Sequence, residues 1–255
     1  MNTLWWQSKW LLLALLLGAC TSQQRTPMAA LERPIAAEAK IVAPRTASAD
    51  AKLGTQWGEG VASNVTQVSL RRVSQRPLAL QEIQYAASVP QGRALKELSL
   101  AEGRIGMAVL DGQGRKMTLI ESANKIGLAG KKGERYQLYY QNHSNKTYAI
   151  LATVDGLDVM NGQPGSFNSG GYVLPPYGRL TIEGFRKSNS EVAAFRFTTL
   201  NNAYVANTPA GDVGNAGLIG TAVFELYDPA AKAQPPKGSA FPAENGYAPA
   251  PQYRD

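Results

Sequence analysis

The side chains that most often carry chemistry are scarce in this sequence, which has one cysteine, Cys20, and one histidine, His143. A lone cysteine allows no disulfide within the chain and no zinc site built from thiolates, so an apolar core has to hold the fold. His143 stands in Asn142-His143-Ser144-Asn145, the composition of a loop between strands. It could serve as a general base or a metal ligand, but a histidine beside Ser and Asn in a turn reads more simply as a solvated polar residue. A Ser-His-Asp triad has no fixed chain order, yet neither a GxSxG elbow nor an HExxH helix is present to support a hydrolase. Asp155 and Asp158 lie three apart in Asp155-Gly156-Leu157-Asp158. Calcium needs several oxygens converging in one loop, whereas this pair straddles a turn in which Asp155 already has a role. Gly214-Asn215-Ala216-Gly217-Leu218-Ile219-Gly220 is glycine-rich but does not follow a strand and open a helix, as a nucleotide-binding loop must. The inventory points to a protein that is not an enzyme and uses no metal and no cofactor.

The amino terminus carries a different kind of chemistry. Lys9 supplies a sparse positive charge, Leu11 to Leu17 form a short apolar run, and Gly18 and Ala19 lead directly into Cys20. The run is too short for a span of ~20 residues. Leu17-Gly18-Ala19-Cys20 resembles the lipobox of bacterial lipoproteins. The resemblance implies that residues 1–19 are a signal peptide and that Cys20 becomes the new amino terminus. It further implies a covalent lipid on that cysteine, palmitate included, with two acyl signals anchoring the protein stably where one would not. The plainer alternatives are an ordinary signal peptide or an amino-terminal anchor, with Cys20 incidental. Thr21 stands where such lipoproteins retained in the inner membrane often carry Asp. For a Gram-negative source this implies attachment to the outer membrane, with the domain facing the periplasm or the cell surface.

The formal net charge is +7, and removing Lys9 with the leader leaves 25 basic against 19 acidic residues. The excess is scattered. Its only clusters are Arg71-Arg72 with Arg76 and Lys131-Lys132 with Arg135, which is not the concentrated stripe of a nucleic-acid binder. Loose attraction to anionic headgroups or cell-wall polymer fits better. Residues 20–55 are rich in Ala, Pro, Lys, Glu, Ser and Thr, contain no aromatic residue and read as a flexible tether. Fully extended it reaches roughly 115 Å; as a coil it spans about 35 Å. Residues 229–255, with six prolines in 27 positions, read as a disordered tail.

The elements that must position any site are strands. Alternation predicts them near residues 65–73, 81–88, 104–110, 116–121, 135–142, 147–154, 157–160, 171–174, 179–182, 192–197 and 218–227. Asp111-Gly112-Gln113-Gly114 predicts a hairpin between the third and fourth of these, and Asp155-Gly156 predicts a turn. Leu95 to Leu100 could form one helical turn. The expected fold is all-β, a single antiparallel β-sandwich or jelly-roll-like domain over residues 56–228.

Aromatic residues recur through residues 153–197 as Phe167, Tyr172, Tyr177, Phe185, Phe195 and Phe197 among heavy glycine and a Pro175-Pro176 pair. Val154-Asp155-Gly156, Gly171-Tyr172, Ile182-Glu183-Gly184-Phe185-Arg186, Ala193-Ala194-Phe195-Arg196-Phe197 and Ile219-Gly220 punctuate the stretch, with Gly54-Thr55-Gln56-Trp57-Gly58-Glu59-Gly60 upstream. Residues 54–227 thereby resemble a β-domain that recurs in bacterial exported proteins. The resemblance implies a fold and an exported location rather than a reaction. The expected function is binding of an envelope protein partner by a lipid-anchored β-domain. The alternative is a carbohydrate or peptidoglycan module that stacks sugars on Trp57, Tyr172 or Tyr177 beside Arg186. An extended line of exposed aromatics in a groove favours the glycan, and an apolar patch favours the protein.

Overall fold

A computed structural model describes residues 52–231. Cys20, the leader, and all but the ends of the expected tether and tail lie outside the described residues. Sixteen strands make up about half of the described residues: β1 Leu53–Ala62, β2 Arg71–Arg72, β3 Ala79–Ala86, β4 Arg93–Leu95, β5 Leu98–Leu100, β6 Ile105–Asp111, β7 Leu119–Ser122, β8 Lys125–Ala129, β9 Tyr136–Asn142, β10 Thr147–Val154, β11 Leu157–Asp158, β12 Tyr172–Leu174, β13 Arg179–Ile182, β14 Gly184–Arg186, β15 Glu191–Thr199 and β16 Leu218–Tyr227. The domain is all-β and sandwich-like. A nine-stranded sheet runs β11-β10-β16-β3-β8-β7-β4, with β12 alongside β10 and β2 alongside β16. Opposing it are a four-stranded sheet, β13-β9-β6-β5, and a three-stranded sheet, β1-β15-β14. Among the described residues no helix is long and apolar enough to cross a membrane.

One apolar cluster joins the sheets face to face. It takes Ile83, Ile150, Val154, Ile219 and Val223 from the large sheet, Met107, Val109 and Leu138 from the four-stranded one, and Phe195 and Phe197 from the three-stranded one. The period-two pattern that predicted β9 is the burial pattern observed, with Tyr136, Leu138 and Tyr140 inside and Gln137, Tyr139 and Gln141 partly exposed. β10 is buried on nearly every residue because both its faces are covered. Tyr148, Ile150, Ala152 and Val154 enter the main core, while Ala149 and Leu151 join Ala222, Phe224 and Leu226 in a smaller cluster on the outer face.

Several expectations are corrected. The strand expected over residues 65–73 shrinks to Arg71–Arg72, and Val68 and Val73 are exposed. β3 already occupies the edge of β16 up to Val223, so only Leu226 and Tyr227 accept β2. Residues 95–100 form no helical turn: Leu98 and Leu100 are buried on either side of exposed Ser99, as part of β5. The Asp111 turn forms, with its carboxylate capping the amides of Gln113 and Arg115. Its hairpin is cut short, because β7 leaves to pair with β4 and β8 in the other sheet. The sheets are not wholly antiparallel, since β3 and β8 run parallel. β1, β4, β5, β8 and β14 were not expected. β1 opens three residues before the expected boundary, with Leu53, Gly54 and Thr55 all buried.

Candidate functional site

Among the described residues, Asp155 is the one buried carboxylate held by three donors in the core. It and Gly156 have φ of 53° and 78°, the left-handed pair of a tight hairpin turn. This joins β10 to β11 as the Asp-Gly signal predicts. The carboxylate turns inward. Oδ2 accepts the Thr55 amide at 2.7 Å, and Oδ1 accepts the Gly217 amide at 2.8 Å and the Tyr85 hydroxyl at 2.5 Å. Thr55 Oγ1 also meets the Tyr85 hydroxyl at 2.7 Å and is bonded to the Tyr136 hydroxyl. Burial raises the Asp155 pKa above the ordinary carboxylate value, and the three donors pull the other way. The Tyr85 and Tyr136 hydroxyls are pushed well up, burial being the largest cause for both. Every polar atom here faces protein, so the cluster joins β1, β3, β9 and the start of β16; it is not an open site.

Asp158 does not join it. Its Oδ1 accepts the Met160 amide at 2.7 Å, and the two carboxylates share no partner. Among the described residues no three His, Cys, Asp or Glu side chains converge as metal ligands would. His143 is half exposed, with Nε2 3.9 Å from Glu97 Oε1. The neighbouring Ser144 hydroxyl is engaged by Asn142 and Tyr148 rather than by the imidazole.

Of the four residues expected to bind a ligand, the structure brings Tyr172 and Arg186 into contact. Tyr172 is only 8% exposed, and its hydroxyl accepts from Arg186 Nε at 3.0 Å. The rest of the Arg186 guanidinium holds Ser63 and the Ser188 carbonyl. This pair ties the β1 exit to the β14–β15 turn, so it is structural. Trp57 stacks on Phe185 and tilts against Tyr204, with centroids 6.1 and 4.8 Å away. Tyr177 is 45% exposed but sits on a turn whose amide bonds to the Ser144 carbonyl. The four do not share a groove. No family model, curated protein or solved structure matches the chain.

A concavity lies on the outer face of the β3-β16-β10 seam, a groove of about 610 Å³. Register sets its floor in rows. Leu80, Ala222 and Leu151 form one row, and Glu82, Gly220, Thr153 and Asp158 form the next. Gly220 lies beneath the Thr153 side chain, whose Oγ1 a Cβ there would meet at 2.4 Å. The loop after β11 supplies a wall through Gly165, Ser166 and Phe167. Arg72 pins that loop: its guanidinium stacks 3.9 Å from the Phe224 ring and donates to the carbonyls of Phe167 and Ser169. Leu80 is 60% exposed and Phe167 52%. Sequence reasoning missed this surface. Its available signal was the outward phase of β10 and β16, where Ala149, Leu151, Ala222 and Phe224 are apolar at positions that a solvated face would fill with polar residues.

Proposed function

We propose that this is a membrane-anchored envelope lipoprotein, lipidated on Cys20, whose β-domain binds a protein partner without catalysis. The observation that carries the binding reading is the open groove floored by Leu80, Leu151 and Ala222 and walled by Phe167. Exposed apolar surface gathered in one concavity is what a protein ligand covers. A glycan would call for a line of aromatic platforms, and the groove has one aromatic, Phe167. Tyr172 is buried against Arg186, and Trp57, 39% exposed, lies away from the groove lining. The anchor rests on the Leu17-Gly18-Ala19-Cys20 lipobox, and the location is a cell envelope for the same reason.

A photo-crosslinking amino acid at position 80, in cells expressing the full chain, tests the binding reading. The expected result is a discrete covalent adduct that Ala222→Glu removes, while Val213, exposed elsewhere, gives none when it carries the same crosslinker. Equal adducts at both positions, or none at position 80, would refute it. Fatty-acid labelling of wild type and Cys20→Ser tests the anchor, and equal labelling would refute that half.

A further inference from the structure

Resting on that reading of the groove, we infer that its occupant is an extended protein segment presenting a lysine or arginine beside an aliphatic side chain. The argument is one of charge and register. The residues lining the groove include two carboxylates, Glu82 and Asp158, and no lysine, arginine or histidine. The protein as a whole carries an excess of seven positive charges, so an acid-only groove runs against its composition. Among the described residues neither carboxylate has a cation within 4 Å. Glu82 meets only the Gln84 side-chain amide, at 3.2 Å. Asp158 is 4% exposed, yet only its Oδ1 is hydrogen-bonded, to the Met160 amide. Its Oδ2 has no protein partner among the described residues and is not sealed from solvent, so a donor arriving in the groove has an acceptor to meet.

Register decides what kind of cation it is. Glu82 and Asp158 terminate one row that crosses β3, β16, β10 and β11. Three inter-strand steps separate them by about 14 Å at ~4.8 Å each, so a single metal ion cannot bridge them. The aliphatic row of Leu80, Ala222 and Leu151 lies two residues along the strands, about 6.8 Å away. That distance equals the spacing of successive same-side residues in an extended chain. A strand-like segment can therefore seat an aliphatic side chain over Leu80 and Leu151 and direct its neighbouring ammonium or guanidinium to a carboxylate.

Panning a phage-displayed random dodecapeptide library against the full chain tests this, with Leu80→Ser and the double variant Glu82→Gln, Asp158→Asn in parallel. Both amides preserve the existing acceptor oxygens, and melting temperatures confirm folding. Wild type is expected to enrich peptides with Lys or Arg beside Leu, Ile, Val or Met. The double variant should weaken their synthetic versions about tenfold or more, with affinity falling as salt rises. If the double variant binds those peptides as wild type does while Leu80→Ser loses them, the groove reading stands and the cation inference is wrong. If Leu80→Ser also binds unchanged, or no peptide is enriched over it, both fail. If soluble peptidoglycan fragments bind in a Leu80-dependent way instead, the occupant is a glycan and both fail.

Discussion

Removing the Asp155 carboxylate should destabilise the domain more than any other single polar change. In Asp155→Ala the amides of Thr55 and Gly217 lose their acceptor, while the Tyr85 hydroxyl can still donate to Thr55 Oγ1. Each stranded buried amide costs about 1–3 kcal/mol. An alanine at φ 53° adds roughly 1 kcal/mol. The expected loss is about 3–7 kcal/mol, comparable with the ~5–15 kcal/mol of a whole domain. Asp155→Asn should cost less, about 1–3 kcal/mol. Asn tolerates the left-handed turn and its one carbonyl oxygen serves either Thr55 or Gly217, so a single amide is stranded in either orientation. Trp57 makes the assay simple. The other tryptophans, Trp5, Trp6 and Trp10, precede Cys20, so in a chain beginning at Cys20 urea unfolding can be followed by one fluorophore. The pH dependence has a definite sign. Burial raises the folded pKa of Asp155 above its unfolded value, so its contribution is fullest below the unfolded pKa of about 3.9 and declines as pH rises through the folded pKa. The gap between wild type and Asp155→Asn should therefore narrow with rising pH over that window. An alanine variant within about 1 kcal/mol of wild type, or a gap that widens with pH, would refute the reasoning.

Other expectations follow from the same contacts. His143→Ala should leave both partner binding and melting temperature unchanged, because the imidazole bonds to nothing beyond a distant Glu97; loss of binding in a protein that still melts normally would point to a site around that loop. Tyr172→Phe should cost about 1 kcal/mol through its bond to Arg186 and leave crosslinking at position 80 intact, as judged by denaturation and the adduct assay. Arg72→Met keeps a long apolar side chain over Phe224 but removes the donors to Phe167 and Ser169; proteolysis within residues 161–171 should become faster, and an unchanged rate would show that the loop is held by other contacts.

Several strands were legible because β-branched and other apolar residues recur along them, whereas ten-residue β1 was not. β10, β13 and β16 begin and end where the periodicity places them. The short strands were not legible: β4, β5 and β14 have three residues each, too few to display a period. Residues 65–73 failed for the opposite reason, since a tidy alternation met no free sheet edge. Asp155 was read as a turn former, which it is, but its burial depends on Thr55, Tyr85 and Gly217, and no local pattern links those positions. The same applies to binding residues. Aromatic type suggested Trp57 and Tyr172; Tyr172 is buried against Arg186 while Trp57 stays 39% exposed, and the groove arises from cross-strand register that a linear reading does not contain.

The pairing of β1 with β15 also bears on how the chain reaches its native state. Leu53 lies opposite Thr199, and the Thr55 amide waits for a carboxylate 100 positions later. The earliest strand in the domain thus has no hydrogen-bonding neighbour until nearly all the rest has been synthesised. Such distant pairings make closure slow, on the order of milliseconds to seconds. Under the export proposed above, slowness would be useful: an amino-terminal portion unable to complete its own core would stay threadable until the carboxyl-terminal strands arrive on the far side.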